Sequence, residues 1–151
     1  MDRKDVVEGI LERAAENAGD ITAPVMALFY QRFPEAREMF AHHGSHRLYS
    51  LEGEMVEQAL YCLMYWFQSP WEVEMVLMNS VPHHNDTLKV PPAVYQGLLT
   101  ATSEVIRDTI PEGHDEEKTA WDELCDNLAG VIEQSSQFIS QPAREATGEV
   151  E

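Results

Sequence analysis

From Leu51 to Phe67, apolar residues recur at spacings of three and four: Leu51, Met55, Val56, Ala59, Leu60, Leu63 and Phe67. At about 100° per residue, that spacing lays them along one broad face of an α-helix. In its second half Tyr61, Cys62, Met64 and Trp66 make the same segment apolar nearly all round. A helix of that kind is stable only when other elements wrap it, so it belongs at the centre of the fold. Ser50 is the expected N-cap and Gln68 the expected end.

The wrapping elements also carry helical period. Asp5 to Ala18 places Val6, Ile10, Leu11, Ala14 and Ala15 on one side and stops at Gly19. Asp20 reads as the next cap, with Pro24 in the first turn and Val25, Leu28, Phe29 and Phe33 as the apolar face, ended by Pro34. A short helix is expected from Glu35 to Phe40, followed by a loop containing Ala41-His-His-Gly-Ser-His46. Ser69-Pro70 introduces a shorter helix from Trp71 to about Ser80. Pro91-Pro92 opens another, bearing Val94, Leu98, Leu99, Ala101, Val105 and Ile106. A long last helix runs from near Asp115 to about Phe138. No segment alternates as a strand does, and no repeat of 20 to 50 residues is visible. The expectation is an all-α fold of seven to eight helices, one domain over residues 1–139, and a polar, disordered tail over 140–151.

Charge narrows the function. The formal net charge is −17, and the Lys and Arg residues do not gather into a stripe. A phosphate backbone and an anionic membrane surface would both be repelled, which argues against nucleic-acid and membrane partners. The longest apolar run, Ala59 to Phe67, is far short of the roughly 20 residues that span a bilayer. The acid-bearing start Met1-Asp-Arg-Lys-Asp does not read as a signal peptide, so a cytoplasmic location is expected. Cys62 and Cys125, each inside a helical pattern and without CxxC spacing, read as reduced, packed thiols. H-E-x-x-H, paired E-x-x-H and G-x-S-x-G are all missing, so no catalytic residue is assigned.

The stretch Val81-Pro-His-His-Asn-Asp-Thr-Leu-Lys-Val-Pro-Pro-Ala-Val-Tyr95 sets two histidines side by side. On a helix their side chains diverge by about 100°, so at most one of them faces a given pocket.

Several local sequences together resemble the bacterial globins. Phe29-Tyr30-Gln31-Arg32-Phe33, then Pro34-Glu35 and Phe40, is similar to the family's F-Y-x-R-F, P-E and wedging phenylalanine. Gln58-Ala59-Leu60-Tyr61-Cys62-Leu63-Met64 resembles an S-L-Y-M-M core on the distal-side helix. His83, Leu88, Val90, Pro91, Pro92 and Tyr95 follow H-x-x-x-x-L-x-I-P-P-x-x-Y, and Ala120-Trp121 matches the A-W of the last helix. The resemblance covers about residues 20 to 138.

It implies a globin-like fold, one b-type haem with its iron, and a diatomic gas ligand such as oxygen, in a monomer or homodimer. Counted back from Tyr95, the proximal histidine of the pattern falls on His83, which becomes the expected metal ligand, with His84 on another face. On the other side of the haem, Tyr30 matches the ligand-stabilising tyrosine, Phe40 the wedge, and Val56 and Leu60 the apolar wall. Glu52 stands where a distal His or Gln is common, yet an ionised carboxylate only accepts hydrogen bonds. Val90 and Tyr95 complete the expected cofactor contacts. The different-class alternative is a haem-free globin-fold sensor or protein-interaction module. His42, His43 and His46, near Arg47, are candidates for metal or propionate contact, against a solvated loop as the plainer reading.

Overall fold

The computed structural model describes residues 2–44, 48–86 and 89–138, with His43, Gly44 and Phe138 described in backbone only. Among them are seven α-helices, one 3-10 turn and no strand. His46, Arg47, Leu88 and the tail expected from residue 140 lie outside the described residues.

Helix α1 spans Arg3–Ala18. The Asp2 carboxylate caps it by accepting the Lys4 N–H at 3.4 Å, and Gly19, at φ 64°, ends it. That left-handed conformation is cheap for a residue without Cβ. Helix α2, Thr22–Arg32, starts where the Asp20 carboxylate accepts the Thr22 N–H at 2.9 Å. Helix α3, Pro34–Gly44, is longer than the expected Glu35 to Phe40, so His42 and His43 sit on a helix and not in a loop. Helix α4, Leu48–Tyr65, begins two residues before Ser50, which therefore does not cap it.

Helix α5, Pro70–Asp86, departs most from expectation. It continues through Pro82 instead of stopping near Ser80. Proline at that position removes one intrahelical bond, donated toward Met78, and leaves the downstream turn to be held by other contacts. The Val90 N–H donates to the His84 carbonyl at 2.8 Å, which closes that end. Helix α6, Pro92–Arg107, opens on its proline as expected. Helix α7, Asp115–Ser135, carries Asp115, Glu116 and Glu117 in its first turn, where the helix dipole favours acids. A 3-10 turn over Ser136–Phe138 follows.

The helices meet in one core. Helix α6 packs on α2, α4, α5 and α7, while α7 also packs on α1 and α5. Where the end of α2 meets α6, a Cβ built on Gly97 would lie 2.3 Å from Phe33 Cε2, so only glycine permits this approach without a shift. Phe29 sits at the middle of an aromatic group, 5.4 Å from Phe33, 5.6 Å from Tyr30 and stacked on Phe40 at 5.9 Å. The largest buried side chain, Trp121, is fully enclosed and donates its indole N–H to the Ser103 carbonyl at 3.0 Å, tying α7 to α6.

One ion pair fastens the outer face of α1 to the start of α7. The Arg13 guanidinium holds Glu117 through two bonds of 2.7 and 2.8 Å, both side chains being about three-quarters covered. The Arg13 hydrogen bonds keep the Glu117 carboxyl below its ordinary value of 4.5, against the opposing effect of burial, with His114 assisting. Because the folded carboxyl gives up its proton more readily than the unfolded one, the pair stabilises the fold fully above that ordinary value. The contribution is lost as pH falls through the folded value. Glu117→Gln should therefore be less stable than the parent by about 1 kcal/mol at neutral pH. In urea titrations at a series of pH values the gap should be constant at neutral pH and narrow progressively as pH falls below the ordinary value of 4.5. A gap that persists undiminished near pH 3 would show that the pair is not its cause.

Candidate functional site

Helices α2, α3, α4, α5 and α6 line a partly open cavity of about 50 Å³. Its wall is mostly apolar: Phe29 and Phe40 from one side, Met55, Ala59 and Cys62 from α4, Leu77 from α5, and Val94, Leu98 and Leu99 from α6, with Val90 just before that helix. Three polar side chains also reach it, Gln58, His84 and Tyr95.

These three converge on one serine. Tyr95 donates its hydroxyl to Ser80 Oγ at 3.0 Å, and Gln58 donates its amide to the same oxygen at 3.4 Å. His84 Nδ1 lies 2.8 Å from the Ser80 carbonyl oxygen and 3.2 Å from its Oγ. A carbonyl can only accept, so Nδ1 carries the proton in the neutral ring and the lone pair is on Nε2. Burial lowers the His84 pKa from its ordinary 6.5, with the Ser80 carbonyl pulling the other way, and so favours the neutral ring. The Tyr95 ring packs edge-on against the imidazole at 5.1 Å, and burial pushes its phenol up to about 12. Burial also pushes the Cys62 thiol up to about 12, so it is an unreactive thiol in the wall.

The positions expected from the sequence divide. Phe40, Val90 and Tyr95 line the cavity. His83 is exposed on α5, and the ring that lines the cavity is that of His84. The reason is the continuation of the helix through Pro82. Val73, Leu77 and Val81 form the buried face of α5, and a further step of three residues brings His84 onto that face and leaves His83 off it.

Tyr30, half-buried, donates its hydroxyl to Glu52 Oε2 at 2.7 Å, with the Arg37 guanidinium 5.6 Å from its ring centre. Neither Tyr30 nor Glu52 is part of the cavity wall. Burial and the Glu52 carboxylate together raise the Tyr30 pKa, so the phenol remains a donor and its proton is committed to that carboxylate. Val56 and Leu60 line a different feature, an open groove of about 450 Å³ between α4 and the α1–α2 turn. The wall from α4 is instead Met55, Gln58, Ala59 and Cys62, one residue out of phase with the expected Val56 and Leu60.

Ser80 and Gln58 were not among the expected site residues. The i, i+4 spacing of Ser80 and His84 was the available signal, but it has meaning only if α5 is helical through Pro82. Among the described residues no cluster of three His, Cys, Asp or Glu side chains that could hold a metal ion occurs. Comparison with known proteins adds no relative: no family model, curated protein or solved structure matches this chain.

Proposed function

We propose that this is a haem-binding, globin-like domain in which His84 would hold the iron through its imidazole. The observation that carries the reading is the anchoring of His84 Nδ1 on Ser80, which presents an imidazole with Nε2 unprotonated at an apolar cavity between five helices. A neutral imidazole oriented by a backbone carbonyl is the donor that haem iron takes, and the second hydrogen bond fixes its tautomer and direction. When bound, the group would supply an iron site for a diatomic ligand. Phe40, Val90 and Tyr95 would pack against it and exclude water, and Ser80, steadied by Tyr95 and Gln58, would hold the imidazole in place. The axial role expected of His83 passes to His84, and Tyr30 acts on Glu52.

The donor chemistry fits the group; the present space does not. A cofactor pocket is roughly 300–1,000 Å³, and this cavity is about 50 Å³. That is the size of one or two small molecules, given about 30 Å³ per water in the liquid. The helices have to separate for a porphyrin to enter. The same volume favours a second reading, a haem-free domain whose cavity admits at most a gas molecule.

Titrating the apoprotein with hemin separates the two. The haem reading expects a Soret band that saturates at one equivalent while the helical circular dichroism is kept. Folded protein that gives no saturable band overturns it and leaves the haem-free reading.

A further inference from the structure

Helix α5 is apolar on two faces. Val73, Leu77 and Val81 are buried, whereas Trp71, Met75, Met78 and Pro82, spaced by four, three and four, form a second stripe on the opposite side. Along it Trp71 is 68% exposed and Met75 43%, and Met64, at the end of α4, is 40% exposed. A solvated helix face is ordinarily polar, so a stripe of tryptophan and methionine there costs solubility without stabilising the core. Tryptophan and methionine are the residue types enriched at protein interfaces, methionine because its unbranched thioether adapts to varied partners.

Charge identifies the partner. Between Arg47 and Lys89 the chain has no Lys or Arg, and the same stretch holds Glu52, Glu54, Glu57, Glu72, Glu74 and Asp86. On α5 itself Glu72 and Glu74 flank the stripe, one on either side, while on α4 Glu52 accepts from Tyr30 and Glu54 and Glu57 line the groove toward the α1–α2 turn. Four of the chain's arginines, Arg3, Arg13, Arg32 and Arg107, are bonded to carboxylates on α6 and α7, away from this face. A second copy would bring another −17 to the contact, and residues 139–151 carry three Glu to one Arg. Both have the wrong sign.

We propose that the outward face of α5, anchored on Trp71 and Met75, docks a basic amphipathic helix of a partner protein. The apolar side of the incoming helix covers the stripe, and its Lys and Arg residues lie toward Glu72 and Glu74 on α5. This does not depend on what occupies the cavity.

The test uses the full chain and a synthetic peptide of leucine and lysine, about 18 residues long, patterned as an amphipathic helix. Its controls are a scrambled peptide of the same composition and a glutamate version of the same pattern. Binding read from tryptophan fluorescence should saturate for the patterned basic peptide, weaken as salt rises and fail for both controls. W71A and M75Q should each weaken it at least tenfold while the circular dichroism is unchanged, and Tyr49→Ala, at an exposed ring at the start of α4, should not. Equal binding of the scrambled peptide, or undiminished binding by W71A and M75Q, overturns the proposal. So does self-association in sedimentation that W71A abolishes, release of the stripe by deleting residues 139–151, or binding to phosphatidylcholine vesicles with none to the peptide.

Discussion

If the domain takes hemin as proposed, His84→Ala should remove the imidazole-ligand signature from its spectrum and weaken hemin retention by more than a hundredfold, whereas His83→Ala should leave both close to the parent. The two residues are adjacent, have the same chemistry and share one helix, so the contrast isolates direction alone. His84 faces the cavity with Nδ1 held 2.8 Å from the Ser80 carbonyl, and His83 is exposed. Gln58 and Tyr95 are already bonded to Ser80, and His84 is the imidazole in that wall. Local collapse is controlled for by His84→Gly, in which added imidazole should restore the signature. Ser80→Ala keeps the carbonyl that orients the ring and loses only Oγ, so its effect should be smaller, at or below the roughly tenfold lower end for loss of a group that orients a ligand. Dependence of the spectrum on His83 instead would mean that Pro82 breaks α5 in solution.

The second large effect is on stability. Trp121→Ala should cost about 3–5 kcal/mol, the range for deleting a large aromatic from a core. Trp121 is fully enclosed, and its indole is bonded to the Ser103 carbonyl. Removal leaves a cavity between α6 and α7 and a buried carbonyl that has lost a donor. Urea unfolding followed by circular dichroism measures it as a lower midpoint at an unchanged slope. Trp121→Phe, which keeps much of the ring but not the N–H, should cost clearly less. A loss of under about 1 kcal/mol for the alanine variant would show that the α6–α7 contact is not part of the core.

Core residues were legible because periodicity and burial are the same physical fact seen twice. Val6, Ile10 and Ala14 on α1, and Val94, Leu99, Ala101 and Ile106 on α6, carried the pattern in sequence and are buried in the structure. The helix start at Pro92 was legible too, since a proline acts through its immediate neighbours, whereas the cap expected at Asp20 falls one residue early: Ile21 holds the cap position of α2, and Asp20 instead accepts the Thr22 N–H. The site was legible in part. Phe40, Val90 and Tyr95 line the cavity, whereas the pattern counted back from Tyr95 leads to His83, which is exposed, and the cavity is lined by His84.

The misplacements on α4 and α5 share one cause. The sequence by itself determined that the chain is helical, how many helices it forms, which residues form the core, and that the surface is acidic. Each follows from local spacing, backbone preference or charge count. Tertiary structure alone decided direction. Whether α5 stops at Pro82 or passes through it rests on contacts that hold its last turn, among them the Val90 bond to the His84 carbonyl, made from residues beyond the helix. That choice rotates the inward position from one histidine to the next. The same holds on α4, where Met55, Gln58, Ala59 and Cys62 face the cavity and Val56 and Leu60 do not. Its apolar pattern is too broad to state which edge faces which neighbour, and a phase difference of one residue, about 100°, is set only by the helices packed around it.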